Sequence, residues 1–182
     1  MKRIIIILFV FMFINTQAIY PTINANLSIE YLCSNSTSII VAKVISLDSF
    51  YMNDTNAEDI YTSIKFEVMN SFKGDLKKDN IFEMVRCGGT IGEITRGQFG
   101  APVFKKNQKV ILFVKEYVSK IIGRNYSILG LSEGKFNLVD ETVFRDYNIP
   151  LKNESKKELY NVTKKNPINK NNFYNLIRSY LQ

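Results

Sequence analysis

Hydrophobic and polar positions alternate through the middle of this chain in the way β-strands require. The stretch SIIVAKVISL (Ser38–Leu47) is β-branched and ends at the polar, turn-rich DSFYMNDTNAED. In IYTSIKFEVMNSFKG (Ile60–Gly74), Ile60, Thr62, Ile64, Phe66, Val68 and Asn70 fall on one face and Tyr61, Ser63, Lys65 and Glu67 on the other, a period of two. IFEMVRC (Ile81–Cys87) predicts a third strand that runs into a glycine-rich segment. QKVILFVKEYV (Gln108–Val118) is nearly continuous in apolar residues, which predicts a central strand buried on both faces. The short runs NYSILGL and GKFNLV, separated by Ser132, Glu133 and Gly134, predict a β-hairpin.

After Val139 the pattern changes. Residues 140–170 are polar, rich in Lys and Asn and weakly periodic, and read as an irregular connection. Then Phe173, Leu176, Ile177, Tyr180 and Leu181 recur at helical spacing, with Asn171 or Asn172 available as N-cap, so an amphipathic terminal helix is expected over 171–182. Five or six short, mostly antiparallel strands with one helix predict a mainly β protein closed, or nearly closed, into a barrel that removes its sheet edges. An open sandwich is the competing arrangement.

The first residues change the compartment. Met1-Lys2-Arg3, the unbroken apolar run Ile4–Ile14 and the polar Asn15-Thr16-Gln17-Ala18 follow the order of a secretory signal peptide, with cleavage expected after Ala18. Eleven apolar residues fall short of the about twenty that cross a bilayer. Cleavage removes Lys2 and Arg3 and no acid, so 24 basic residues become 22 against 17 acidic, a net charge of +5. The excess is spread along a chain biased to Lys, Asn and Ile without an arginine cluster, which argues against a nucleic-acid partner.

Cys33 and Cys87 both follow the expected cleavage site, and an oxidising destination predicts a disulfide between them, with two free thiols as the alternative. On the chain-entropy account, closing that loop is worth about 4 kcal/mol. Two cysteines without histidine are too few ligands for zinc. The absence of histidine also excludes Ser-His-Asp and Cys-His nucleophile systems. Carboxylate chemistry remains open through Glu83, Glu93, Glu133 and Asp140, although no spacing forces two of them onto one face. No cofactor is expected.

The segment VRCGGTIGEITRGQFGAPVF (Val85–Phe104) holds five of the nine glycines. It matches neither the phosphate loop, which needs Lys and Ser/Thr after its second glycine, nor the dinucleotide fingerprint. Its expected role is conformational: Gly88 and Gly89 bend the end of the strand, Gly97 and Gly100 permit positive φ, and Pro102 holds Ala101 extended. Phe99 and Phe104 would anchor this crossover on the core.

With these pieces in place, SIIVAKVIS, a variable turn, IYTSIKFEVMNSFKG and a strand leading to a cysteine resemble the N-terminal OB-fold domain of tissue inhibitors of metalloproteinases and the wider netrin-module group. The second half, GGTIGEITRGQFGAPVFKKNQKVILFV followed by YSILGLSEGKFNLV, is similar to secreted bacterial proteins of unknown function with the same barrel-like layout. The two resemblances cover residues 33–139. They imply an OB-like β-barrel domain over 38–139, behind a signal peptide (1–18) and an N-terminal segment (19–37), and ahead of the polar connection (140–170) and the helix (171–182). The inhibitors begin with a Cys-x-Cys that chelates the target's zinc; here the expected mature terminus is Ile19 and no second cysteine stands near Cys33.

The function expected from these observations is a secreted or periplasmic, non-enzymatic binding module acting through its loops on another extracellular or envelope protein. Through the resemblance, a metalloprotease is one candidate partner. The contact surfaces expected are the segment Ile19–Cys33, the turn Phe50–Asp59 and the crossover residues Glu93, Arg96 and Gln98. A secreted hydrolase using carboxylates alone and a structural protein of the cell envelope are the alternatives.

Overall fold

A computed structural model describes residues 27–52, 59–97, 100–120, 122–146, 151–152, 159–160 and 166–182. The expected signal peptide, the start of the N-terminal segment, most of the Phe50–Asp59 turn, and Gln98 and Phe99 lie outside them. The first described element is a helix, α1 (Ile29–Asn35), inside the N-terminal segment 19–37, for which the sequence pattern predicts no element. Ser28 caps it by accepting from the Tyr31 N–H, and Lys73 Nζ donates to the carbonyls of Cys33 at 2.7 Å and Ser34 at 3.1 Å, a cation at the helix's negative end.

The strands follow in order: β1 (Ser38–Tyr51), β2 (Ile60–Lys73), β3 (Ile81–Cys87), β4 (Gly89–Ile91), β5 (Ile94–Arg96), β6 (Lys109–Ser119), β7 (Gly123–Ile128), β8 (Lys135–Val139) and β9 (Thr142–Phe144). Beyond them lie β10 (Leu151–Lys152) paired with β11 (Leu159–Tyr160), β12 (Ile168–Asn169) and the terminal helix α2 (Lys170–Ser179). Among the described residues, eight strands join in one antiparallel sheet, ordered β12-β9-β8-β6-β1-β2-β3 with β7 also paired to β6. The protein is mainly β, as expected, but with more strands than five or six and without closure into a hydrogen-bonded barrel.

The long β1 works twice. Its first half pairs with β6, from Ser38 opposite Val114 to Lys43 opposite Lys109, and nearly its whole length pairs with β2. The halves of β1 and β6 that pair with each other are accordingly buried on both faces, and alternate residues enter two separate cores. Ile40, Ala42, Val110 and Leu112 point into the curl of the sheet with Phe66, Phe82 and Phe104; Ile39, Val41, Ile111 and Phe113 point outward beneath α1 and α2 with Phe136, Phe173 and Ile177. The near-continuous apolar run of β6 therefore reflects two layers packed on one strand.

Three expectations change. Ser132-Glu133-Gly134 is not a hairpin turn: Leu131–Gly134 forms a 3-10 turn between β7 and β8, and both strands pair with the same strand, β6. Val114 faces Ile128 but Leu112 faces Lys135, so the 3-10 turn is an insertion in one broken strand. The connection 140–170 contributes β9 and β12 to the sheet, and Asn169, which ends β12, caps α2 by accepting from the N–H groups of Asn171 and Asn172.

The expected disulfide is also corrected. Cys33 is a free, buried thiol under α2, and Cys87 is a free, exposed thiol. Lys73, bonded to Cys33, ends β2, whereas Tyr61, paired with Cys87, begins it. Twelve residues of strand separate the two, roughly 40 Å of contour at about 3.3 Å per residue, against the about 7 Å limit between Cα atoms for a disulfide.

Candidate functional site

The candidate site lies where the sheet fails to close. Following the antiparallel pairings β3-β2-β1-β6-β7 around makes β3 and β7 parallel, and no backbone ladder joins them. Asn125 of β7 bridges the gap with its side chain. Its Oδ1 accepts from the Val85 N–H at 3.1 Å, and its Nδ2 donates to the Val85 carbonyl at 2.8 Å and to the Tyr117 hydroxyl at 2.8 Å. One buried amide thus stands in for a rung of sheet and satisfies both backbone groups of Val85.

Beside this bridge is a cavity of about 400 Å³ lined from β3 (Met84, Arg86, Cys87), β6 (Tyr117) and β7 (Tyr126), with Pro102 on the crossover wall. Arg86 is there because the strand's period of two continues Phe82 and Met84, both buried, onto an arginine. Its Nη1 donates to the Pro102 carbonyl, while its Nε is buried without a hydrogen-bond partner. Burial draws the guanidinium below its ordinary pKa. Tyr61, also on the wall, faces Cys87 across the β2–β3 ladder, and its hydrogen bond with that side chain is the main cause raising the phenol's pKa.

Close by, Lys135 is almost fully buried, paired with Asp146 at 2.7 Å and stacked 5.3 Å from the Phe104 ring centroid. Burial is the main cause drawing its pKa down; the Asp146 contact opposes this, and the neighbouring Arg86 and Lys105 charges add to it. The Lys135 charge is thus balanced by Asp146, whereas Arg86 stands over the apolar cavity floor with no carboxylate among the described lining residues.

The residues expected from sequence are scattered. Glu93 sits at the turn of the β4–β5 hairpin and Arg96 on β5, both exposed, and Gln98 lies outside the described residues. The crossover is thus partly a two-stranded hairpin held against β1 and β2: the Gly88 N–H donates to the Ile60 carbonyl at 2.7 Å, and Thr62 Oγ1 donates to the Gly88 carbonyl at 2.6 Å. Glu83, on β3, accepts from Ser63; Glu133, in the 3-10 turn, accepts from the Leu27 N–H at 2.7 Å; Asp140 lies in the turn after β8. The four carboxylates stand on four different elements. Asp140 borders a second hollow of about 390 Å³ with Glu141, Lys109 and Lys170, where the 2.6 Å Lys170–Glu141 pair balances charge locally.

Sequence reasoning missed Arg86, Asn125, Tyr117 and Tyr126 as a group. Only Arg86 leaves a local signal, a charge on the apolar face of a strand; the rest are ordinary strand residues brought together by the fold. No protein family, curated protein or solved structure matches this chain.

Proposed function

We propose that this chain is a secreted, non-enzymatic binding module built on an OB-like, partly open barrel, and that it engages another extracellular protein at the seam between β3 and β7. The strand order supports the barrel reading: β1-β2-β3 on one side and β1-β6-β7 on the other bring β3 and β7 side by side, and OB folds are partly open five-stranded barrels that bind on the β2–β3 face and at adjoining loops. The observation that carries the function is the seam cavity, an apolar pocket with one arginine, set between the β1–β2 and β6–β7 connections. A metalloprotease is a partner by resemblance alone, and the chain has no Cys-x-Cys with which to reach a zinc ion.

The test compares three immobilised proteins as baits for extracellular proteins: the mature chain, the seam variant Arg86→Ala/Tyr117→Ala, and the hairpin variant Glu93→Ala/Arg96→Ala. A partner held by the mature chain and the hairpin variant but lost by the folded seam variant is the expected result. Equal retention by the seam variant overturns the assignment.

A further inference from the structure

Resting on that reading, we infer that the seam cavity takes an apolar side chain of the partner with a carboxylate beside it, and that Arg86 binds the carboxylate. Among the described residues lining the cavity, Arg86 is the only one of Asp, Glu, Lys and Arg, and no carboxylate offsets it there. Its Nη1 donates to the Pro102 carbonyl and its Nε is without a hydrogen-bond partner, so the protein does not saturate the guanidinium's donors. A guanidinium edge presents two parallel donors, and a carboxylate matches them with two oxygens. The walls decide what accompanies the charge. Tyr61, Tyr117, Tyr126, Met52, Met84 and Ile122 offer aromatic, thioether and aliphatic surface, which suits an aliphatic or aromatic side chain and disfavours a heavily hydrated phosphate. A volume of about 400 Å³ admits one such side chain with its carboxylate.

The same chemistry arises from a free chain terminus or from an aspartate beside an apolar residue, and the test separates them. Cys87 lines the cavity and is exposed while Cys33 is buried, so the alkylation rate of Cys87 in the full mature chain reads occupancy. Four probes are compared: a pentapeptide ending in leucine-phenylalanine with a free carboxylate, its C-terminal amide, an amidated pentapeptide with an internal aspartate-phenylalanine pair, and 4-phenylbutyrate. Slower alkylation with the first or third peptide, and weaker binding of the plain amide by about tenfold or more, is expected for the loss of a charge-assisted hydrogen bond. Which peptide protects assigns the source.

Equal protection by the carboxylate and plain amide forms overturns the inference. So does protection by 4-phenylbutyrate alone, and so does protection by no peptide. Arg86→Gln is expected to abolish the discrimination; the ligand-side comparison on the unaltered protein holds even if that variant does not fold. If the peptides fail while the seam variant still loses its captured partner, the ligand chemistry falls and the binding surface stands.

Discussion

The guanidinium of Arg145 lies 4.6 Å from the ring centroid of Phe136, almost wholly buried, with none of its three nitrogens hydrogen-bonded. Stacking on an aromatic face recovers part of the desolvation cost of a cation, and the nearby Glu133 carboxylate recovers more. Burial nonetheless pulls the arginine down to about 10. A cation with idle donors in a core is replaced at little loss by an apolar chain of similar length. Arg145→Met combined with Glu133→Gln, so that no buried carboxylate is left without its cation, is therefore expected to raise unfolding stability by about 1–3 kcal/mol, read by urea denaturation. A loss of more than 1 kcal/mol would show that the guanidinium is satisfied in solution.

Asn125 makes the seam. Asn125→Ala removes three hydrogen bonds at once and strands both backbone groups of Val85, so a loss of about 2–4 kcal/mol is expected. Hydrogen exchange separates this from a generic destabilisation: the Val85 amide should lose protection beyond the global change, while the β1–β6 ladder should not.

Gly74 closes the FKG motif at the end of β2 with φ +88°, and a Cβ there would stand 2.2 Å from the Thr37 carbonyl oxygen and 2.3 Å from Ser38 Oγ. The backbone oxygen cannot withdraw without breaking the start of β1. Gly74→Ala is expected to cost at least about 2 kcal/mol, seen as a lower thermal midpoint, whereas Gly92→Ala meets nothing within 4 Å and should cost less, leaving only the strain of positive φ.

The two thiols should behave oppositely. Cys87 is exposed and should react fully with iodoacetamide under native conditions, while Cys33 should react only on unfolding. One equivalent of native label is expected; none would indicate that the disulfide forms.

Burial pushes the Cys33 thiol up to about 12 from an ordinary value of 9.0, against a smaller opposing influence of Lys73. Because the folded state holds the proton more tightly, its contribution to stability is complete below about pH 9 and is lost as pH rises toward about 12. Cys33→Ala should lose less stability than the parent between pH 8.5 and about 10.5 in paired urea titrations. Parallel curves would contradict the burial of the thiol.

The strand reading was legible because its signal is local. Ile60, Thr62, Ile64, Phe66 and Val68 are all buried, as their period of two predicts, and IFEMVRC spans β3 end to end. Phe104 anchors the crossover in the inner core, edge-on to Phe66, as expected. The hairpin reading of Ser132-Glu133-Gly134 failed because turn residues announce a break in a strand without saying whether the chain reverses; β7 and β8 share one partner, which only pairing reveals. Helix α1 was missed because its seven residues carry too little periodicity, and its stability comes from Ile29, Leu32 and Cys33 packing under α2.

The sequence by itself determined the class of this protein: β-rich, without histidine chemistry or a phosphate loop, with a terminal helix whose Phe173 and Ile177 had to find an apolar surface. It could do so because period, turn chemistry and the absence of a residue type are properties of neighbours along the chain. Where the sheet stops closing, which residues face the gap, and how far Cys33 stands from Cys87 depend on the register and curl of β1 against β2 and β6. Tertiary structure alone decided these, since it brings Arg86, Tyr117 and Tyr126 from three strands to one cavity.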